Sequence, residues 1–403
     1  MKTAIFFGAG ASKADGAPLQ KDLITEYFEM RKQKNKNGIA KEDEYLNSSK
    51  TTVMQFYIEK KISYFLSEYF GVDFGKHISK IAFPTFEEIL GLIDNASMND
   101  DEFRSNPQIN KHQQDLMENL KDHYQLYDNQ HFGLFALTRS RLISSKSSLK
   151  NMFHNSPGIP SNKIFKIRDC FIFLMAEILE YNLQVDSLNT QHYKLINNIK
   201  NLSDISFFST NYDLLIDSAL VHNGCDINYN YDERTKDKVD LFKLHGSLNY
   251  LYCPACKNIL TYGIEKVVVK TLDYDFTCQH CSSIMKNIII APSYFKDFRN
   301  KYLQRIWSNA EYKLKQIEHI IFCGYSFPDA DFHIKYLLKQ SQINYIDSPL
   351  KKISIINNFE GKKPFSVKEE FQRYKRLFGN AIDVIDTKLS FQQFASNPYQ
   401  IIR

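Results

Sequence analysis

The chain has 403 residues, with 51 Lys+Arg against 46 Asp+Glu for a formal net charge of +5, and 24% charged and 43% hydrophobic residues. This composition excludes disordered, collagen-like and coiled-coil classes, and apolar runs such as 171–176 and 288–291 fall far short of the roughly 20 residues that span a bilayer, so no membrane protein is expected. Lys and Arg alternate with acids along the chain, so no direct nucleic-acid binding is predicted.

At the N-terminus, Lys2 followed by the apolar residues 4–11 faintly imitates a secretory signal, but the stretch is marginal in length, and residues 3–7 read as a buried first strand. Further strand-like runs are predicted at 205–209, 241–244, 288–291, 320–323, 353–357 and 381–384. Most are continuously apolar, as strands covered on both faces of a parallel sheet are. Helical patterns at 213–221 and 330–342 separate them, so the predicted architecture is α/β, a Rossmann-like doubly wound parallel sheet. The block 31–200 reads as a helical insertion. Within it Thr85-Phe86-Glu87-Glu88 has the spacing of a capping box before a helix, a second helix covers 171–181, and the polar stretches 31–44 and 94–112 are expected to be loops. The domains are therefore set at 1–30 together with 201–403, with 31–200 as the helical insertion and 248–287 as a small zinc knuckle.

Four residue sets carry chemistry. Gly8-Ala9-Gly10-Ala11-Ser12 follows the first strand and leads into a helical pattern, where glycines let the backbone approach a pyrophosphate; a plain strand-to-helix turn explains it equally well. Thr210-Asn211-Tyr212-Asp213 ends the second strand, at the sheet edge where ligands bind, with helix capping as the bland alternative. Lys243-Leu244-His245-Gly246-Ser247 again ends a strand; a lone His is more often structural, but its place between the Asn-x-Asp cluster and the cysteines favours function. Cys253-Pro254-Ala255-Cys256 and Cys278-Gln279-His280-Cys281 are two pairs separated by 21 residues (257–277), one beyond the usual range for a zinc ribbon, and four thiolates in two such pairs suit tetrahedral zinc. Free thiols, or His280 in place of one thiolate, are the alternatives. Seven cysteines, four of them paired in this way, point to a reducing compartment, the cytoplasm.

Together these sets resemble the sirtuin superfamily in content and order. Gly8-Ala9-Gly10-Ala11-Ser12 and Gly16-Ala17-Pro18 resemble its phosphate turn and cofactor loop, Thr210-Asn211-Tyr212-Asp213 its Gln-Asn-x-Asp, and His245-Gly246 its catalytic His ahead of the zinc knuckle. Gly324-Tyr325-Ser326 resembles its ribose turn, and Asn357 its adenosine-ribose Asn. Where the deacylases carry Asp-Phe-Arg this chain has Leu19-Gln20-Lys21, and where they carry a Phe-Gly-Glu segment it has Ala291-Pro292-Ser293-Tyr294-Phe295-Lys296. Asn211-Tyr212-Asp213-Leu214-Leu215 and the segment from Gly324 to Asp331 are similar to the bacterial sirtuin-like NAD hydrolases of antiphage defence. The resemblance implies NAD as substrate and a structural Zn2+ on Cys253, Cys256, Cys278 and Cys281. It makes Asn211, His245 and Asp213 catalytic, and it gives Gly8, Ala9, Gly10, Ser12, Gly16, Thr210, Gly324, Ser326 and Asn357 to cofactor binding. It further implies a homo-oligomer that docks on a HerA-like hexameric ATPase. An NAD-dependent protein-lysine deacylase and a non-catalytic NAD or ADP-ribose sensor are the rival readings.

Overall fold

The computed structural model describes residues 1–36, 50–98 and 167–402, apart from 184, 186, 231–237, 262–276, 284, 291–299, 329–330 and 358–363. Its first strand, β1 (Thr3–Phe7), is buried along its whole length. Successive side chains of a strand point to opposite faces, and both faces here are apolar: Ala4 and Phe6 join one core cluster, Ile5 and Phe7 the other. β1 pairs in parallel with β2 (Ile205–Ser209) on one side and with β8 (His319–Cys323) on the other. Outward from β2 come β4 (Val239–Lys243) and the short β3 (Ile227–Asn228), and outward from β8 come β9 (Lys352–Ile356) and β10 (Asp383–Asp386). The order β10-β9-β8-β1-β2-β4-β3 is parallel throughout. It is the predicted doubly wound α/β sheet, with its switch point between β1 and β8, where the connections leave in opposite directions.

Each face of this sheet is covered by amphipathic helices. Leu303, Ile306, Ala310 and Leu314 of α8 (Lys301–Leu314) pack with Phe6, Phe208 and Phe242, as do Ile334, Leu337 and Leu338 of α9 (Phe332–Ile343) and Tyr374 and Phe378 of α10 (Pro364–Phe378). On the other face Leu195 and Ile196 of α6 (Gln191–Asn198), Ile216, Ala219 and Leu220 of α7 (Leu215–His222) and Phe391, Phe394 and Ala395 of α11 (Phe391–Ser396) cover Ile5, Phe207 and Leu241. A second, three-stranded sheet runs β6-β5-β7, with β5 (Gly246–Tyr252), β6 (Ile259–Thr261) and β7 (Lys286–Ile289). The run 288–291, expected among the parallel strands, contributes instead to β7, which pairs antiparallel with β5. β5 pairs antiparallel with β6 as well.

The chain divides into two compact units, one of Met1–Leu19 with the described residues from Leu179 onward, the other of Gln20–Ile178. In the second unit α2 (Leu23–Lys36), α3 (Lys50–Phe70), α4 (Phe86–Met98) and the first part of α5 (Ile167–Asn182) are helical. Ile58, Ile62, Phe65 and Leu66 on α3, and Phe86, Ile89, Leu90 and Ile93 on α4, are buried at helical spacing. The capping box at Thr85 is present: Glu88 N–H donates to Thr85 Oγ1 at 3.2 Å, and Thr85 N–H to Glu88 Oε2 at 2.6 Å. α2 and α4 continue to Lys36 and Met98, into stretches expected to be loops; in 31–36 the Arg, Lys and Gln residues carry helix propensity as high as that of most apolar residues. The rest of those two stretches lies outside the described residues. Within them, no helix is long and apolar enough to cross a membrane.

Candidate functional site

The parallel register brings the carboxyl ends of five adjacent strands, β4, β2, β1, β8 and β9, to one edge of the sheet. Every sequence-predicted residue outside the cysteine pairs and the Gly16 turn follows one of these ends. The first feature there is a contact between two turns. Gly10 N–H donates to Gly324 O at 2.8 Å, and Gly8 N–H to Cys323 O at 3.0 Å. Gly324 has φ +58°, and a Cβ on it would lie 2.2 Å from Ala11 N and 2.7 Å from Gly10 Cα. Only glycine fits a left-handed turn pressed this closely on another backbone. These glycines thus join the turns after β1 and β8, and the helix expected beyond Gly8-Ala9-Gly10 begins within it, as α1 (Ala9–Lys13). Ala9 is exposed at this edge, and Gly10 half-buried. Gly16, at φ +102°, is exposed beyond the end of α1.

Beneath this turn lies a buried hydrogen-bond chain. Asn211 Nδ2 donates to Gly8 O at 2.9 Å and to Ser12 Oγ at 2.8 Å, and Ser12 Oγ donates to Asp213 Oδ2 at 2.6 Å. Ser12, Asn211 and Asp213 are 2%, 9% and 5% exposed. The carbonyl of Gly8 fixes the Asn211 amide with its nitrogen inward, so Oδ1 is left as the acceptor outside these two bonds. Asp213 Oδ1 accepts from Leu215 N–H at 3.1 Å, a local turn bond at the entry to α7; the N-cap of α7 is Leu214 and carries no side-chain cap bond, so neither Asn211 nor Asp213 is its cap. Thr210 N–H donates to Phe7 O at 3.2 Å, so Thr210 is tied through its backbone to the end of β1.

His245 follows β4. Leu244 N–H donates to Ser209 O at 2.9 Å, Trp307 Nε1 donates to Leu244 O at 2.8 Å, and Ile290 N–H donates to His245 O at 2.8 Å. Gly246 turns the chain at φ +82°, where a Cβ would sit 2.0 Å from Ile288 O. The imidazole is 4% exposed, with Nε2 3.6 Å from Asp331 Oδ1 and its ring centroid 6.4 Å from that of Tyr212. Asp331 accepts from the Tyr325 hydroxyl at 2.8 Å. Burial pushes the Tyr325 phenol well above its usual range, so it remains a donor.

Asp217, Tyr229, Glu370 and Arg373, which pair with residues of this edge, escaped the sequence reading. Lys243 and Asp217 form an ion pair at 3.1 Å with both side chains fully buried; Lys243 Nζ also donates to Asp213 O, and the Tyr229 hydroxyl to Asp217 Oδ1 at 2.8 Å. The pair thereby fastens the Asn-x-Asp loop to the strand that carries His245. Asn357 Nδ2 donates to Glu370 Oε1 at 2.9 Å, and Arg373 Nη1 to Ser326 O at 3.5 Å, so α10 braces the turns after β8 and β9. Ser326 is exposed and Asn357 half-buried. The sequence carried one signal for these partners, a charged Lys and Asp inside otherwise apolar segments. A groove of about 610 Å³ lined by Met1, Asp204, Ile205 and Tyr399 opens at the opposite, amino-terminal edge and includes none of the candidate residues.

The Sγ atoms of Cys253, Cys256, Cys278 and Cys281 all lie within 4.8 Å of one another. The two pairs fold alike. Cys256 N–H points at Cys253 Sγ and His280 N–H at Cys278 Sγ, both at 3.4 Å, and Lys257 and Ser282, each following the second Cys, are left-handed at φ 63° and 57°. Backbone N–H groups aimed at sulfur stabilise thiolates, and four such ligands could hold zinc in tetrahedral form with no open position. His280 is not a member of the cluster.

Fold and site define a Rossmann-like α/β protein whose polar residues line the topological switch point. Residues 205–378 match the family model of the SIR2-like domain. No curated protein matches the chain. Among solved structures, a Sir2–p53 peptide–NAD+ complex is similar at 16% identity over 57% of this chain and 77% of that chain, with a TM-score of 0.32. A structure reported on the basis of sirtuin substrate affinity is similar at 17% identity over 60% and 86%, TM-score 0.33.

Proposed function

We propose that the protein is an NAD glycohydrolase that cleaves the nicotinamide–ribose bond to give nicotinamide and ADP-ribose. The observation that carries this reading is the buried chain from Asn211 through Ser12 to Asp213 beside the strand end of His245, all at the switch-point edge. In the reaction the bond from ribose C1′ to the nicotinamide nitrogen breaks, its electron pair neutralising the pyridinium. A water oxygen bonds to C1′ and its proton passes to His245, then to solvent. Asn211 Oδ1 would accept a hydrogen bond from that water or from the ribose hydroxyls. Asp213, whose carboxylate retains acceptor capacity beyond its two bonds, would hold the carboxamide. The turn at Gly8, Ala9 and Gly10, held from beneath by Ser12 through Asn211 and Asp213, would with Gly16 and Thr210 contact the phosphates and adjoining ribose, and Gly324, Ser326 and Asn357 the adenosine side. Zinc on Cys253, Cys256, Cys278 and Cys281 would support folding only.

The motif order that resembles the antiphage hydrolases supports a finer reading, an NAD-depleting defence effector of the cytoplasm, oligomeric, and controlled by a HerA-like ATPase. Incubating the pure chain with NAD and separating the products by chromatography tests the activity. Consumption of NAD without any acylated peptide supports hydrolysis, and consumption only with such a peptide supports a deacylase.

A further inference from the structure

Asp331 stands at the N-cap of α9, where an Asp side chain ordinarily accepts a hydrogen bond from the first turn. It makes no such bond. Its carboxylate instead accepts from the Tyr325 hydroxyl at 2.8 Å through Oδ2 and places Oδ1 3.6 Å from His245 Nε2, with the two side chains 8% and 4% exposed. A cap contributes about 1 kcal/mol to a helix. The residue type suited to that role is turned away from it, toward the imidazole of the neighbouring loop. Tyr325 in turn is held by its carbonyl, which accepts from the Tyr374 hydroxyl within the aromatic core.

We infer that Asp331 is a positioning residue for His245, its carboxylate orienting the imidazole and stabilising the imidazolium formed when His245 takes a proton from the attacking water. The inference rests on the NAD-cleavage reading. A separation of 3.6 Å is a Coulombic contact and not a hydrogen bond, and such contacts at catalytic groups tighten when substrate binds. The buried setting strengthens the attraction relative to water, and Tyr325 keeps the carboxylate from rotating onto the helix N-terminus.

The test uses the full chain with Asp331→Asn, which preserves shape and removes charge. NAD binding and KM should stay within about twofold while kcat falls about 100-fold, in the range of general-base effects; an Asp331 that merely held the fold would move KM, binding and thermal stability along with kcat. A second readout does not need turnover: in the ¹⁵N-histidine spectrum at neutral pH, the His245 ring signals, assigned by their loss in His245→Gln, should shift in Asp331→Asn. Should Asp331→Asn fail to fold, Tyr325→Phe keeps the charge and removes its tether, and should lower kcat about tenfold at constant KM. Unchanged His245 signals, or kcat within threefold of the parent in either folded variant, would overturn the inference. A parent chain that leaves NAD intact while the His245 signals still respond to Asp331→Asn defeats the cleavage reading and leaves the Asp331–His245 coupling standing.

Discussion

Substituting Gly324 by Ala tests whether contact between the two turns, and not mere turn flexibility, organises the site. A Cβ at Gly324 would lie 2.2 Å from Ala11 N. Real Cβ contacts stay beyond about 3.0 Å, so one turn must retreat by roughly 3.0 − 2.2, about 0.8 Å. Overpacking of this kind costs about 1–3 kcal/mol, added to about 1 kcal/mol for a left-handed non-glycine residue. Gly379 supplies the control, with φ +77° and nothing within 4 Å of its Cβ position, so Gly379→Ala carries the backbone strain alone. Denaturant unfolding should show Gly324→Ala less stable than the parent by about 3 kcal/mol and Gly379→Ala by about 1 kcal/mol. Because Asn211 is bonded to Gly8 O on the displaced turn, NAD turnover should also drop about 100-fold in Gly324→Ala and hold steady in Gly379→Ala. Equal losses at the two glycines would refute the reasoning.

Three further outcomes follow from single contacts. Ser12→Ala leaves the Asn211 amide and the Asp213 carboxylate facing a methyl group in a buried place, so unfolding free energy should fall by about 1–3 kcal/mol and turnover with it; a fully active Ser12→Ala would detach the chain from catalysis. Cys253→Ser or Cys278→Ser should give destabilised protein, and metal analysis of the parent should find one zinc per chain; a folded, active sample without zinc contradicts this. Burial, aided by Lys352, pushes His319 down to about 4 from 6.5. The unfolded chain therefore binds a proton that the native state refuses, and stability is lost as pH falls from about 6.5 toward 4, by about 3 kcal/mol in all. Unfolding at about pH 4.5 compared with pH 7 should show His319→Gln losing about 2 kcal/mol less than the parent, and parallel losses would contradict the assignment.

The continuous apolar strands were legible to the residue: β1 and β2 occupy the predicted ranges because a strand buried on both faces leaves no ambiguity of period. β5 was missed because it begins at a Gly and carries Ser247 and Asn249 among its hydrophobics, with its partners supplied by β6 and β7. At the site, the residue types at strand ends were readable from motif and position. Their partners were not, because Asp217 meets Lys243, Glu370 meets Asn357 and Asp331 meets His245 only through the tertiary fold. Ser12 shows the same limit. A phosphate-turn serine was read from its motif, and the structure places its hydroxyl between Asn211 and Asp213.

The most direct measurement is the product analysis of NAD incubated with the pure full chain, alone and together with a HerA-like ATPase partner, run beside Asn211→Ala and His245→Ala. The account predicts nicotinamide and ADP-ribose in equal amounts without any acylated peptide, and no turnover in either folded variant. NAD left intact unless an acylated peptide is added, or a folded Asn211→Ala that cleaves NAD at the parent's rate, would contradict it.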